Sequence, residues 1–94
     1  MYALKLTLHG KVQGVGYRRW FEQQAKTLEL KGYVKNLNNG GVEAVVLGTQ
    51  LAIETIMSRT MHTAPVHGRV DGILYAEVDS EVLLSWQDFQ IVPN

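Results

Sequence analysis

The chain has 94 residues, 46% of them apolar, and reads as one small domain over residues 1–94, which sets aside intrinsic disorder. Nine lysines and arginines balance nine aspartates and glutamates; zero net charge argues against a dedicated nucleic-acid or membrane-surface binder, whose affinity would rest on a basic patch. Without cysteine there is no disulfide framework and no thiolate or cysteine-ligated zinc chemistry, and with no signal peptide or spanning run in view a cytoplasmic protein is expected.

Leu4, Leu6 and Leu8 alternate with Lys5, Thr7 and His9, the period of a half-buried strand. Residues 8–18 then read Leu-His-Gly-Lys-Val-Gln-Gly-Val-Gly-Tyr-Arg and lead into Tyr17, Phe21, Ala25 and Leu28 at helical spacing. Gly32 breaks that pattern. Residues 31–37 and 41–48 are apolar and β-branched and flank Leu37-Asn38-Asn39-Gly40, in which Asn39 and Gly40 both tolerate positive φ, so a hairpin is predicted. Ile53, Ile56, Met57, Thr60 and Met61 predict a second amphipathic helix from near Thr49. Thr63–Gly68 carries turn residues, and residues 69–78 and about 86–92 read as strands joined through Ser80–Ser85. The order is strand, helix, strand, strand, helix, strand, with the final strand short. Two helices on one face of an antiparallel sheet make an α+β, ferredoxin-like sandwich (βαββαβ).

The glycine-rich segment carries the chemistry. Gly10, Gly14 and Gly16 allow backbone N–H groups to converge on one point, and the helix that follows adds unpaired N–H groups and the positive end of its dipole. Such a concavity suits a phosphate-sized anion, and Arg18 can close it with a bidentate guanidinium fork. A dinucleotide GxGxxG fingerprint fails, because Tyr17-Arg18-Arg19 follows Gly16, and no Gly-Lys-Ser or Gly-Lys-Thr completes a P-loop. Asn36 stands where the second strand runs into the hairpin. Its amide either mimics a backbone turn or holds a water through one donor and one acceptor.

Two segments in register resemble the signatures of the acylphosphatase family: Gly10-Lys11-Val12-Gln13-Gly14-Val15 within Leu8–Arg18, and Gly32-Tyr33-Val34-Lys35-Asn36 followed by Gly40, Val42 and Gly48. The resemblance spans the chain in length and element order. It implies the same sandwich and an enzyme that hydrolyses the carboxyl–phosphate bond of a small acyl phosphate, as a monomer, without metal or cofactor. In that resemblance Arg18 binds the substrate phosphate and Asn36 positions the attacking water. The phosphoryl oxygens would lie on backbone N–H groups of Gln13, Gly14, Val15, Gly16, Tyr17 and Arg18. Tyr17 replaces a more usual Phe, and Glu29 stands where a glycine commonly ends the first helix. The reaction asks for little machinery. A carboxylate of conjugate-acid pKa about 4 leaves unprotonated, and a loose transition state needs no strong base. Positioning and charge stabilisation remain.

His9, His62 and His67 lack metal-ligand spacing and read as structural or solvated, with modulation of the cradle's charge near neutral pH as the second reading of His9, which adjoins it. Lys11, Arg19 and Lys35 read either as a positive rim for anionic substrates or as ordinary surface charges. Trp20, Met57 and Met61 read as core or helix-face residues. An RNA-binding module of similar element order is disfavoured, because Val34-Lys35-Asn36 lacks aromatics for base stacking after Lys31-Gly32-Tyr33. A non-catalytic phosphate sensor of the same fold could dispense with Asn36.

Overall fold

The leucine alternation places β1 at Tyr2–Lys11, with Leu6 and Leu8 fully buried on one face. The computed structural model describes residues 1–63, 65, 68–83 and 85–93. The remaining elements are α1 (Tyr17–Thr27), β2 (Lys31–Asn36), β3 (Val42–Gly48), α2 (Gln50–His62), β4 (Arg69–Glu77), a 3₁₀ turn (Ser80–Leu83) and β5 (Phe89–Ile91). His67, and the expected turn where it includes Ala64 and Val66, lie outside the described residues, as does Leu84 of the expected connection.

The strands form one sheet in the order β4-β1-β3-β2-β5. β1 pairs antiparallel with both β3 and β4, and β2 pairs antiparallel with β3. β5 departs from the all-antiparallel expectation and lies parallel to β2, with Val34 opposite Ile91. The cause is geometric. β4 ends with Glu77 beside Leu4, at the end of the sheet where β2 begins, so a strand returning from there runs in the direction of β2.

Tyr17, Phe21 and Ala25 recur every four residues and bury one face of α1, where Phe21 meets Phe89 with ring centroids 5.6 Å apart. Thr49 caps α2 by accepting the Ala52 N–H at 3.1 Å, and Ala52, Ile53, Ile56 and Thr60 turn to the core. Met61 is 62% exposed although the helical pattern includes it, because it lies about 100° round the helix from Thr60. The hairpin also differs from a two-residue turn. Leu37 accepts the Gly40 N–H at 3.3 Å, Gly41 accepts the Leu37 N–H at 2.8 Å, and Gly40 takes φ 91°. Gly40 is the residue of that turn with positive φ, so the loop has three residues and ends in a bulge, with Asn39 Oδ1 accepting the Gly41 N–H at 2.9 Å.

The end of α1 explains the Glu29 position. Glu29 N–H donates to Lys26 O at 3.0 Å and Leu30 N–H to Ala25 O at 2.9 Å, the paired bonds of a Schellman motif. Glu29 takes φ 58° to allow this, and it is the described non-glycine residue with positive φ. Its exposed side chain makes no ion pair among the described residues. Left-handed geometry costs a Cβ-bearing residue about 1 kcal/mol or more. Glu29→Gly is therefore expected to stabilise the fold by about 1 kcal/mol, seen as a rise of roughly 4–8 °C in the thermal midpoint.

On the face of the sheet away from the helices, Tyr33 Oη donates to Glu43 Oε2 at 2.9 Å, and Lys5 and Lys35 lie 3.4 and 3.7 Å from the same carboxylate. Burial alone would raise the Glu43 carboxyl, but the Tyr33 hydrogen bond and the two lysine charges outweigh it and hold the group below its ordinary 4.5. A depressed folded value gives stability that is present above the unfolded value and lost as pH falls through the folded one. Urea unfolding from neutral pH down through 4.5 should show that loss, and Glu43→Gln, weaker at neutral pH, should lose less on the same descent.

Candidate active site

The chain between β1 and α1 turns through Gly14 and Gly16, with φ 74° and 78°. A Cβ would meet nothing within 4 Å at either position, so the demand for glycine is conformational rather than steric. Gly16 caps α1 from this left-handed conformation and offers no side chain to the helix N–H groups. The first intrahelical bond runs from Trp20 N–H to Gly16 O at 3.1 Å. The N–H groups of Tyr17, Arg18 and Arg19 therefore face outward without an intrahelical acceptor. No acidic residue occupies the first turn.

Gln13 ties this loop to the hairpin. Its Nε2 donates to Leu37 O at 2.8 Å and to Gly41 O at 2.7 Å, spanning 24 and 28 residues of sequence. Leu37 follows Asn36, so the amide sets the end of β2 against the loop. The result is a cleft of about 260 Å³ lined by Val12, Gln13, Gly14, Gly16, Tyr17, Arg18, Arg19, Asn36 and Ile91. Six of the seven residues singled out from sequence line it: Gln13, Gly14, Gly16, Tyr17, Arg18 and Asn36. Val15 does not; its side chain packs against the core and toward Gly68. Arg19 joins as part of the rim considered from sequence, whereas Lys35 turns to Glu43 and Lys11 lies off the cleft. Ile91 had no sequence signal, since only the parallel pairing of β5 brings it here.

Among the described residues, two buried side-chain polar atoms lack partners: Asn36 Oδ1 and Tyr17 Oη. Asn36 Oδ1 lies on a residue that lines the cleft, an acceptor awaiting a donor. Burial pushes the Tyr17 phenol well above its ordinary value. The Thr60 hydroxyl opposes this weakly and stays out of hydrogen-bonding geometry, its own bond going to Ile56 O at 2.7 Å. The Tyr17 ring packs on Trp20 and Phe21 with centroids 5.4 and 6.4 Å apart, so the residue acts as a wall. His9 sits beside Gly41, not in the cleft, and His62 is exposed at the end of α2. Among the described residues no group of three or more His, Asp or Glu side chains could hold a metal ion.

This arrangement can bind a small anion on backbone N–H groups and arginine, beside an amide able to hold water. The acylphosphatase family model matches residues 4–91. An acylphosphatase of Methanothrix thermoacetophila is 36% identical over 95% of this chain and 94% of its own. One of Bradyrhizobium diazoefficiens is 39% identical over 97% and 94%. The crystal structure of the acylphosphatase from Bacillus subtilis superposes with a TM-score of 0.90 at 29% identity, covering 98% of this chain and 99% of that one. The chain belongs to the acylphosphatase family.

Gln13→Ala leaves two partly buried carbonyls without their donor and is expected to cost about 1–3 kcal/mol in urea unfolding. Amide exchange should quicken at Gly40 and Gly41 more than within α2, because the tie that is lost holds the hairpin.

Proposed function

We propose that this acylphosphatase cleaves a small acyl phosphate in the cleft between the glycine loop, the first turn of α1 and Asn36. The observation that carries the reading is the buried, partnerless Asn36 Oδ1 on a residue that lines the same cleft as Arg18 and the first turn of α1, whose N–H groups have no intrahelical acceptor. The backbone N–H groups from Gln13 to Arg18 receive the non-bridging phosphoryl oxygens, and the Arg18 fork neutralises charge as it spreads over them. Water donates one proton to Asn36 Oδ1 and accepts a hydrogen bond from Asn36 Nδ2, which aims its lone pair at phosphorus.

The water oxygen forms a bond to phosphorus as the bond from phosphorus to the acyl oxygen breaks. The bonding pair leaves with the carboxylate, and a water proton ends on a phosphoryl oxygen. A dianionic acyl phosphate and water thus become a carboxylate and a dihydrogen phosphate monoanion. No general acid is needed for a leaving group of conjugate-acid pKa about 4, and a loose transition state needs little from the nucleophile. Arginine and the helix terminus supply the positive charge, so metal independence is part of this reading. In this reading the working unit is a monomer. A cytoplasmic location rests on the cysteine-free composition. No helix of the described residues is long and apolar enough to cross a membrane.

The test is hydrolysis of benzoyl phosphate by purified protein, with and without EDTA. Wild type should turn over equally in both, and Arg18→Ala and Asn36→Ala should each fold yet lose roughly 10²–10³ in rate. A folded wild type that binds inorganic phosphate and releases no product is a sensor, and overturns the proposal.

A further inference from the structure

The cleft holds two guanidinium groups and more space than a phosphoryl group fills. We propose that it selects acyl phosphates whose acyl portion carries a second anionic group, and that Arg19 is the specificity-determining residue that meets this group. The inference rests on the function proposed above and deepens it.

Four observations converge on Arg19. First, it lines the cleft together with Arg18, and no aspartate or glutamate is among the lining residues. Second, Arg19 makes no ion pair among the described residues, whereas Lys35 is 3.7 Å from Glu43. Third, it sits in the first turn of α1, where the helix dipole disfavours a cation and no acidic residue offsets it. An anion in front of it would offset that unfavourable charge. Fourth, the cleft measures about 260 Å³, against a water's share of roughly 30 Å³. A phosphoryl group leaves much of it for a carbon skeleton, against the apolar surface of Val12 and Ile91.

Successive helical residues project about 100° apart. One fork facing the phosphoryl oxygens therefore leaves its neighbour to a different group. A guanidinium pairs equally with carboxylate and phosphate oxygens, so the shared chemistry is an anionic acyl substituent.

The experiment compares kcat/KM for benzoyl phosphate, 4-carboxybenzoyl phosphate and 4-phosphonobenzoyl phosphate at low salt. Wild type should favour at least one charged substrate over benzoyl phosphate by about tenfold, and the larger ratio identifies carboxylate or phosphonate. The ratio should fall toward one as salt is raised. Arg19→Gln should bring it near one, and Arg19→Lys should restore part of it. Lys11→Gln makes the same charge change off the cleft and should keep the ratio. A wild-type ratio near one, or an equal collapse in Arg19→Gln and Lys11→Gln, overturns the inference while leaving hydrolysis intact. Failure of wild type on all three substrates overturns the proposed function, and this inference with it.

Discussion

A single neutral side chain holds the two halves of the cleft together. Gln13 has both Nε2 hydrogens engaged with carbonyls of the β2–β3 hairpin, at 2.8 and 2.7 Å. That tie sets the glycine loop against the end of β2 that carries Asn36. With it, backbone donors from one segment and an amide from another share one small volume. Binding energy need not be spent on bringing them together, which is the condition for a site that works by positioning. Because the acceptors are backbone carbonyls, the tie is indifferent to which side chains the hairpin carries.

Around this tie the chain breaks several local rules, and they are not all of one kind. The left-handed Gly16 cap offers no side chain to the helix, two arginines stand at the positive end of α1, and Asn36 Oδ1 is buried without a donor. All three belong to residues lining the same cleft, where a phosphoryl group, a second anionic group and one water would together answer them. Glu29 breaks a rule too, with φ 58°, but it faces solvent at the other end of α1. Departures that converge mark a site; one that stands alone is a local cost.

Much of this was legible in the residues. The Leu4-Leu6-Leu8 alternation, the Tyr17-Phe21-Ala25 stripe and the Thr49 cap are local patterns, and local patterns survive into the fold. What the sequence did not disclose depends on pairing between distant segments. The direction of β5 follows from where β4 stops, so Ile91 had no signal of its own. Gln13 was read for its backbone N–H, while its side chain spans 24 residues to a carbonyl that any residue could provide. Asn39-Gly40 announced a turn but not its length, since only Gly40 uses positive φ. Met61 fitted the helical period, yet the width of the buried stripe is set by the sheet beneath it.

The lining of the cleft has one more property that follows from its membership alone. Among the described residues it contains no histidine, lysine, aspartate or glutamate, and its one phenol is held protonated by burial. Guanidinium groups keep their charge wherever a protein stays folded. In the proposed function, the described lining thus brings no titrating side chain to the reaction across the neutral range. With its charge carried by guanidinium groups and backbone dipoles, the described cleft is a fixed electrostatic mould.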